Sequence, residues 1–220
     1  MMMNLFSIFD PSTSQMFSMN WISIFNFIII PSIYWIIPSR IQMIWKKIFF
    51  FIFKEIKTNL SYFNHKFIIL FMSLFIMIFL SNLMGLIPFV FTPSSHIIFS
   101  MILAFPLWFS FMMYGWTMHF NKMMIHLVPM GSPMALSMFM VLIETISNII
   151  RPITLSIRLS ANMISGHLLI HLLTSIPSNI HFSYLLIFPV IMTLMFLETA
   201  VAMIQSYVFI TLSSLYLNEI

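Results

Sequence analysis

The sequence has no cysteine, only four glycines and very few charged residues. Without cysteine there is neither a disulfide bond nor a thiolate metal site. Nine residues are Lys or Arg and five are Asp or Glu, so charged residues make up 6% of the chain, whereas soluble domains carry about 25%. This composition excludes a domain that folds in water, and we expect one integral membrane domain over residues 1–220.

The residues that are present fall mainly in long apolar runs. A membrane helix needs about 20 such residues, and three runs of this length predict spans over 19–37, 67–86 and 96–116. Two longer runs predict helices over 133–173 and 184–217, which exceed the thickness of a bilayer and must be tilted or bent. The predicted fold is an all-α membrane protein with about five membrane helices, the last two forming a long antiparallel hairpin.

The basic residues gather in one connector between predicted spans. Its six members are Arg40, Lys46, Lys47, Lys54, Lys57 and Lys66. Within residues 40–57 the basic side chains lie opposite an apolar face that repeats with helical spacing, which predicts an amphipathic helix at the membrane interface. Lys122 lies in a second connector on the same side, so the positive-inside rule fixes an orientation, and no nucleic-acid site is expected.

Arg158 lies inside an apolar run of the predicted helix 133–173. A guanidinium in the bilayer costs at least about 2.5 kcal/mol, so such an arginine is by default a functional group that faces a partner. On a helical wheel a stripe of polar residues falls within about 40° of it, while His167 lies about 180° away. The stripe consists of Glu144, Ser147, Arg151, Asn162 and Ser165.

The predicted last helix contributes Glu198 and Gln205, which are seven residues apart and therefore on one face. In an antiparallel hairpin, one register pairs Arg158 with Gln205 and also His167 with Glu198. Along the first helix, Glu144 lies roughly 21 Å before the arginine and His167 roughly 13 Å after it. An arginine between two offset polar patches is the layout expected of two half-channels that each stop near mid-membrane.

Six short segments, spread along nearly the whole chain, resemble one known family. They are Ile143–Pro152, Arg158–His167, Glu198–Tyr207, Pro31–Trp35, Pro106–Trp108 and His126–Pro129. On these residues the chain is similar to the a subunits of animal mitochondrial ATP synthase. The resemblance implies a non-catalytic, proton-conducting stator subunit in the mitochondrial inner membrane, with its N-terminus in the intermembrane space and the basic connector 40–66 in the matrix.

The resemblance also implies a role for each residue that it matches. Arg158 would face the rotating ring of c subunits, with Asn162 and Gln205 beside it. The implied partners are that c ring, the peripheral stalk and other membrane-sector stator subunits, together with protons and membrane lipid, and no cofactor is implied.

Two half-channels complete what the resemblance implies. Glu144 would line the half-channel that opens to the matrix. His167 and Glu198 would line the half-channel that opens to the intermembrane space.

Simpler interpretations remain open at this point. Ser147, Asn148 and Ser165 can act as contacts between helices, and Arg151 can extend to the nearby membrane surface. For the whole chain, one alternative is a secondary transporter, but the inverted repeats and paired broken spans typical of that class are not found. A structural subunit of a respiratory complex is the other alternative, and it leaves the shared hairpin register unexplained.

Overall fold

The structure is a computed structural model, and it describes residues 9–12, 18–30, 37–87, 90–128, 134–175 and 183–219. Within these residues every regular element is a helix, so the prediction of an all-α protein is confirmed. The α-helices are α1 (Arg40–Asn59), α2 (Ile68–Gly85), α3 (Ile97–Met118), α4 (Phe120–Leu127), α5 (Met134–Ser175) and α6 (Ser183–Glu219). Shorter 3-10 helices cover Met19–Ile29, Tyr62–Phe67 and Pro93–Ser95.

Four helices in the described residues are long and apolar enough to cross a membrane. They are Asn64–Gly85, Ile97–Met118, Leu136–Ser175 and Ile187–Glu219. A fifth span was predicted over 19–37, but residues 31–36 lie outside the described part of the chain. What is described there is the 3-10 helix Met19–Ile29, which is 11 residues long. The fifth membrane helix therefore stays a prediction.

Local sequence explains where α1 begins. The Ser39 hydroxyl accepts a hydrogen bond from the Gln42 N–H at 3.4 Å, and the Gln42 side chain accepts one from the Ser39 N–H at 2.8 Å. This reciprocal capping box satisfies two backbone N–H groups that have no partner inside the helix. The basic side chains of the connector are exposed, while Ile52 and Ile56 are buried where α1 packs against α2 and α6. The amphipathic pattern of this segment thus separates its charged side from its packed side.

The core lies where α2 meets the other helices. Phe71 and Ile78 of α2 are completely buried, and they belong to one apolar cluster with Leu159 of α5 and Ile210 of α6. Outside this cluster, α5 packs along α3 on one side and along α6 on the other. The two long helices are therefore held by the bundle on one side only, and large parts of their outer faces stay exposed.

One end of the bundle joins the end of α6 to the start of α2. Asn218 accepts a hydrogen bond from the Ser61 N–H at 3.1 Å, and the Asn64 side chain donates to the Leu217 carbonyl at 3.3 Å. We call this the basic end, because Lys57 and Lys66 lie in the same stretch of chain.

Candidate functional site

Arg158 lies on the outer face of α5 and is exposed. All five Asp and Glu side chains lie in described residues, and none of them is within 4.0 Å of its guanidinium, since the single ion pair in the described part of the chain involves another arginine. The residue sits near the middle of α5, with exposed apolar neighbours such as Ile157. The structure therefore presents an unpaired cation on a surface that is otherwise largely apolar.

The amide side chains beside Arg158 form the contact between α5 and α6. Gln205 is 6% exposed and lines a small cavity together with Arg158. Asn162, one helical turn further along α5, donates a hydrogen bond to the Gln205 side-chain oxygen at 2.8 Å. The structure thus brings Arg158, Asn162 and Gln205 together, as predicted. The hydrogen bond joins α5 to α6 next to the exposed guanidinium of Arg158.

Glu198 is the most deeply buried acidic residue of the chain, with only 4% of its surface exposed. Neither of its carboxylate oxygens has a hydrogen-bond partner in the described residues. It packs directly on Gly166 of α5, so closely that a Cβ atom at position 166 would lie 2.6 Å from the Glu198 Cδ atom. A larger residue here would meet the end of the Glu198 side chain, which would have to shift.

His167 follows this glycine in the chain and is half-buried. Its Nε2 atom is buried without a hydrogen-bond partner in the described residues, and its ring lies edge-on to Phe9 with 6.3 Å between the ring centres. The predicted register paired His167 with Glu198, but it is the preceding glycine that faces the carboxylate, and no hydrogen bond joins the two side chains. The structure places them near the same level of the hairpin without a hydrogen bond between them.

A second polar region lies at the basic end. There a cavity of about 340 Å³ opens between α3, α4, α5 and α6. Its polar lining consists of Glu144, Asn148 and Arg151 of α5 together with Glu219 of α6. Met123 of α4 also lines it, so the connector that carries Lys122 lies at the same end as the connector before α2.

Arg151 makes two contacts with α6 inside this cavity. Its guanidinium forms an ion pair with the Glu219 carboxylate. It also lies over the Tyr216 ring, 5.0 Å from the ring centre, which is a cation–π distance. Sequence reasoning missed Glu219, because a single carboxylate next to the last residue of the sequence gives no periodic signal. The simple helix-contact interpretation of Asn148 also overlooked that this side chain lines a cavity.

The two polar regions lie on either side of Arg158 along the hairpin. The cavity with Glu144 is toward the basic end, and the buried Glu198 is toward the opposite end. A bundle of long apolar helices with a central unpaired arginine and an isolated buried carboxylate is typical of membrane subunits that translocate ions, because such groups are retained in a bilayer only for function. The fold and site together define that class.

Comparison with known proteins narrows the class to one family. The sequence pattern of the ATP synthase A chain family matches residues 12–218. The chain is 50% identical over 226 residues to ATP synthase subunit a of Aedes aegypti and 51% identical over 225 residues to that of Drosophila melanogaster, and each alignment covers both sequences completely. The chain belongs to the ATP synthase A chain family. The secondary transporter and the structural respiratory subunit are not favoured by these relatives.

Proposed function

We propose that this chain is the proton-conducting stator subunit of the membrane sector of a rotary ATP synthase. It provides two offset half-channels to the carboxylates of a rotating c ring, and Arg158 separates them. The chain itself makes and breaks no covalent bond of the nucleotide. Membership of the ATP synthase A chain family supports the assignment, and the observation that carries the mechanism is the exposed, unpaired position of Arg158.

Arg158 supplies a permanent charge to the c ring. A ring carboxylate that has lost its proton is unstable against lipid, but it is attracted to a guanidinium by roughly 4 kcal/mol at a separation near 4 Å and an effective dielectric constant near 20. A guanidinium is always charged, so it attracts the ring carboxylate and does not pass a proton on. The exposed site therefore favours proton release and blocks direct proton transfer between the half-channels.

Glu198 and His167 serve the half-channel at the end opposite the basic end. Polar atoms that are buried without partners are costly, so the unpaired oxygens of Glu198 and the unpaired Nε2 of His167 favour water molecules between them. A carboxylate and an imidazole joined by water can pass a proton toward the c ring. We assign proton uptake to this pair.

Glu144 serves the half-channel at the basic end. The cavity that it lines is large enough for several water molecules and is open at its mouth, where Glu219 is more than half exposed. A proton released from the c ring beside Arg158 would reach the matrix through this cavity. The positive-inside rule places the basic connector 40–66 in the matrix, which is the same side.

The proposed role also assigns a location to the chain. It lies in the mitochondrial inner membrane, with its N-terminus in the intermembrane space. The partners are the c ring, the peripheral stalk and other stator subunits of the membrane sector, and no cofactor is assigned.

Each proton that moves through about 100 mV releases roughly 2.3 kcal/mol, so several protons must pass to drive the synthesis of one ATP. The stepping c ring adds up their energy.

The test is the substitution Arg158→Gln in the assembled ATP synthase. Proton-driven ATP formation by inner-membrane vesicles should be abolished while the amount of assembled enzyme stays close to normal. Arg40→Gln is the matched control, since Arg40 is exposed on α1 and lies far along the chain from the hairpin. Normal ATP formation in the Arg158→Gln enzyme would contradict the proposed function.

A further inference from the structure

The ion pair in the basic-end cavity is poorly suited to hold the fold together. The Arg151 side chain is 26% exposed and the Glu219 side chain 54% exposed. Water and ions screen a pair with this exposure, so its contribution to stability is small. Only 14 residues of the chain are formally charged, and stability alone does not explain why two of them meet here.

The surroundings of the pair leave few other charges to consider. The cavity lining from α3 is Trp108, Phe111 and Met112, and from α4 it is Met123, none of which is ionisable. From α5 come Glu144 and Arg151, and from α6 come Tyr216 and Glu219. Among the described lining residues, two carboxylates and one guanidinium therefore decide the charge of this cavity.

The charge of Arg151 is neutralised by a residue of α6. Glu219 pairs with the guanidinium, and the Tyr216 ring covers it. Glu144 lies seven residues before Arg151 and therefore on the same face of α5, yet the two form no ion pair. Because the opposite charges of Arg151 and Glu219 cancel, the net charge of the described cavity lining is that of Glu144 alone.

We infer that the Arg151–Glu219 ion pair is a charge-balancing device that leaves Glu144 as the single unpaired carboxylate on the path of the departing proton. This inference rests on the proposed function. Without Glu219, the freed guanidinium would be available to bind Glu144 and to repel protons. Without Arg151, a second carboxylate would hold protons inside the cavity. Both residues are positioning residues, since they act on the proton through the charge around Glu144.

A set of four enzymes separates charge balance from a structural contact. The variants are Arg151→Gln, Glu219→Gln and the double variant, measured beside the unchanged enzyme in inner-membrane vesicles. Proton pumping driven by ATP and ATP formation driven by a proton gradient are recorded per assembled enzyme. Each single variant changes the charge of the cavity by one unit, and we expect each to slow both rates about fivefold to tenfold. The double variant restores the original net charge and should recover at least about half of the normal rate.

A purely structural role of the Arg151–Glu219 pair predicts a different result. If the pair only clamps α5 to α6, the double variant loses the same contact and should be as slow as the slower single variant, which would overturn the inference. Single variants with normal rates would overturn it as well. Lys47→Gln is the control for loss of one exposed charge outside the cavity.

Two further arms keep the test decisive. If a single variant does not assemble, the double variant, which lacks the ion pair but keeps the net charge, is compared with the unchanged enzyme alone. At least about half of the normal rate then supports charge balance, and a lower rate overturns it. Arg158→Gln is measured in the same vesicles. Coupled ATP formation in that variant would overturn the proposed function itself, whereas its loss, combined with no recovery in the double variant, would overturn only the role of the Arg151–Glu219 pair.

Discussion

The two polar regions of the hairpin use the same chemical group in opposite surroundings. Glu198 is 4% exposed, has no hydrogen-bond partner among the described residues and packs against a glycine. Glu144 lines a cavity of about 340 Å³ beside an arginine whose charge is already paired. Under the proposed function, the difference teaches that the enclosed carboxylate must itself carry each proton, while the other lies beside space where water can share that task.

The largest effect is expected from Glu198→Gln. An amide cannot accept and release the proton, and the other carboxylates of the hairpin, Glu144 and Glu219, lie at the basic end, so proton uptake should slow by roughly a hundredfold. Proton flux into the assembled enzyme is the measurement. Glu198→Asp keeps the acid and should retain far more flux. Equal flux in the Gln variant and the unchanged enzyme would remove Glu198 from the pathway.

Gly166→Ala should give the next largest effect. The added methyl group would collide with the Glu198 carboxylate, which would have to move. Misplacement of a proton-transfer group by about 1 Å can cost up to a hundredfold, and we expect a loss of roughly tenfold or more in proton flux.

The same contact provides a rescue. Adding Glu198→Asp to Gly166→Ala shortens the acid by one methylene and makes room for the methyl group. Flux in the double variant should exceed that of Gly166→Ala alone. Gly166→Ala with normal flux would show that the tight packing on this glycine has no functional role.

Glu144→Gln should have a weaker effect than Glu198→Gln, because water in the basic-end cavity can still conduct protons to the surface. We expect proton release to slow only about threefold to tenfold. ATP-driven pumping and proton-driven synthesis, compared in the same vesicles, measure this. A loss as severe as that of Glu198→Gln would break the contrast between an enclosed and an open region.

The smallest effect is expected from Asn162→Leu. It removes the 2.8 Å hydrogen bond to Gln205 and leaves that amide buried without its partner, which costs about 1–3 kcal/mol. The hairpin should lose thermal stability, measured as the temperature at which the subunit dissociates from the purified enzyme. Asn162→Gln is the conservative control. Unchanged stability in the Leu variant would show that the bond does not hold α5 to α6.

Much of the site was predictable because helical geometry is regular. The spacing of Arg158 from Asn162 and of Glu198 from Gln205 fixed one face on each long helix. A constant antiparallel register then brought Arg158 and Gln205 to the same cavity, as the structure shows. The class of fold followed from low charge and long apolar runs, which few other architectures tolerate.

Other features could not be predicted from the sequence, for physical reasons. Which of Gly166 and His167 faces Glu198 depends on how the two helices rotate against each other, and a wheel does not specify a rotation of this size. The pairing of Arg151 with Glu219 depends on where α6 ends relative to α5. The basic-end cavity depends on the gaps between four helices, so it could not be predicted from the spacing of residues around Asn148 on α5 alone.

A cryo-EM map of the assembled ATP synthase that resolves side chains would test the central claim most directly. The account predicts that the Arg158 guanidinium faces the c ring, with no carboxylate of its own chain within ion-pairing distance, and that water-filled space reaches it from two separate sides. A guanidinium paired with Glu144 or Glu198, or directed at lipid headgroups, would contradict the account.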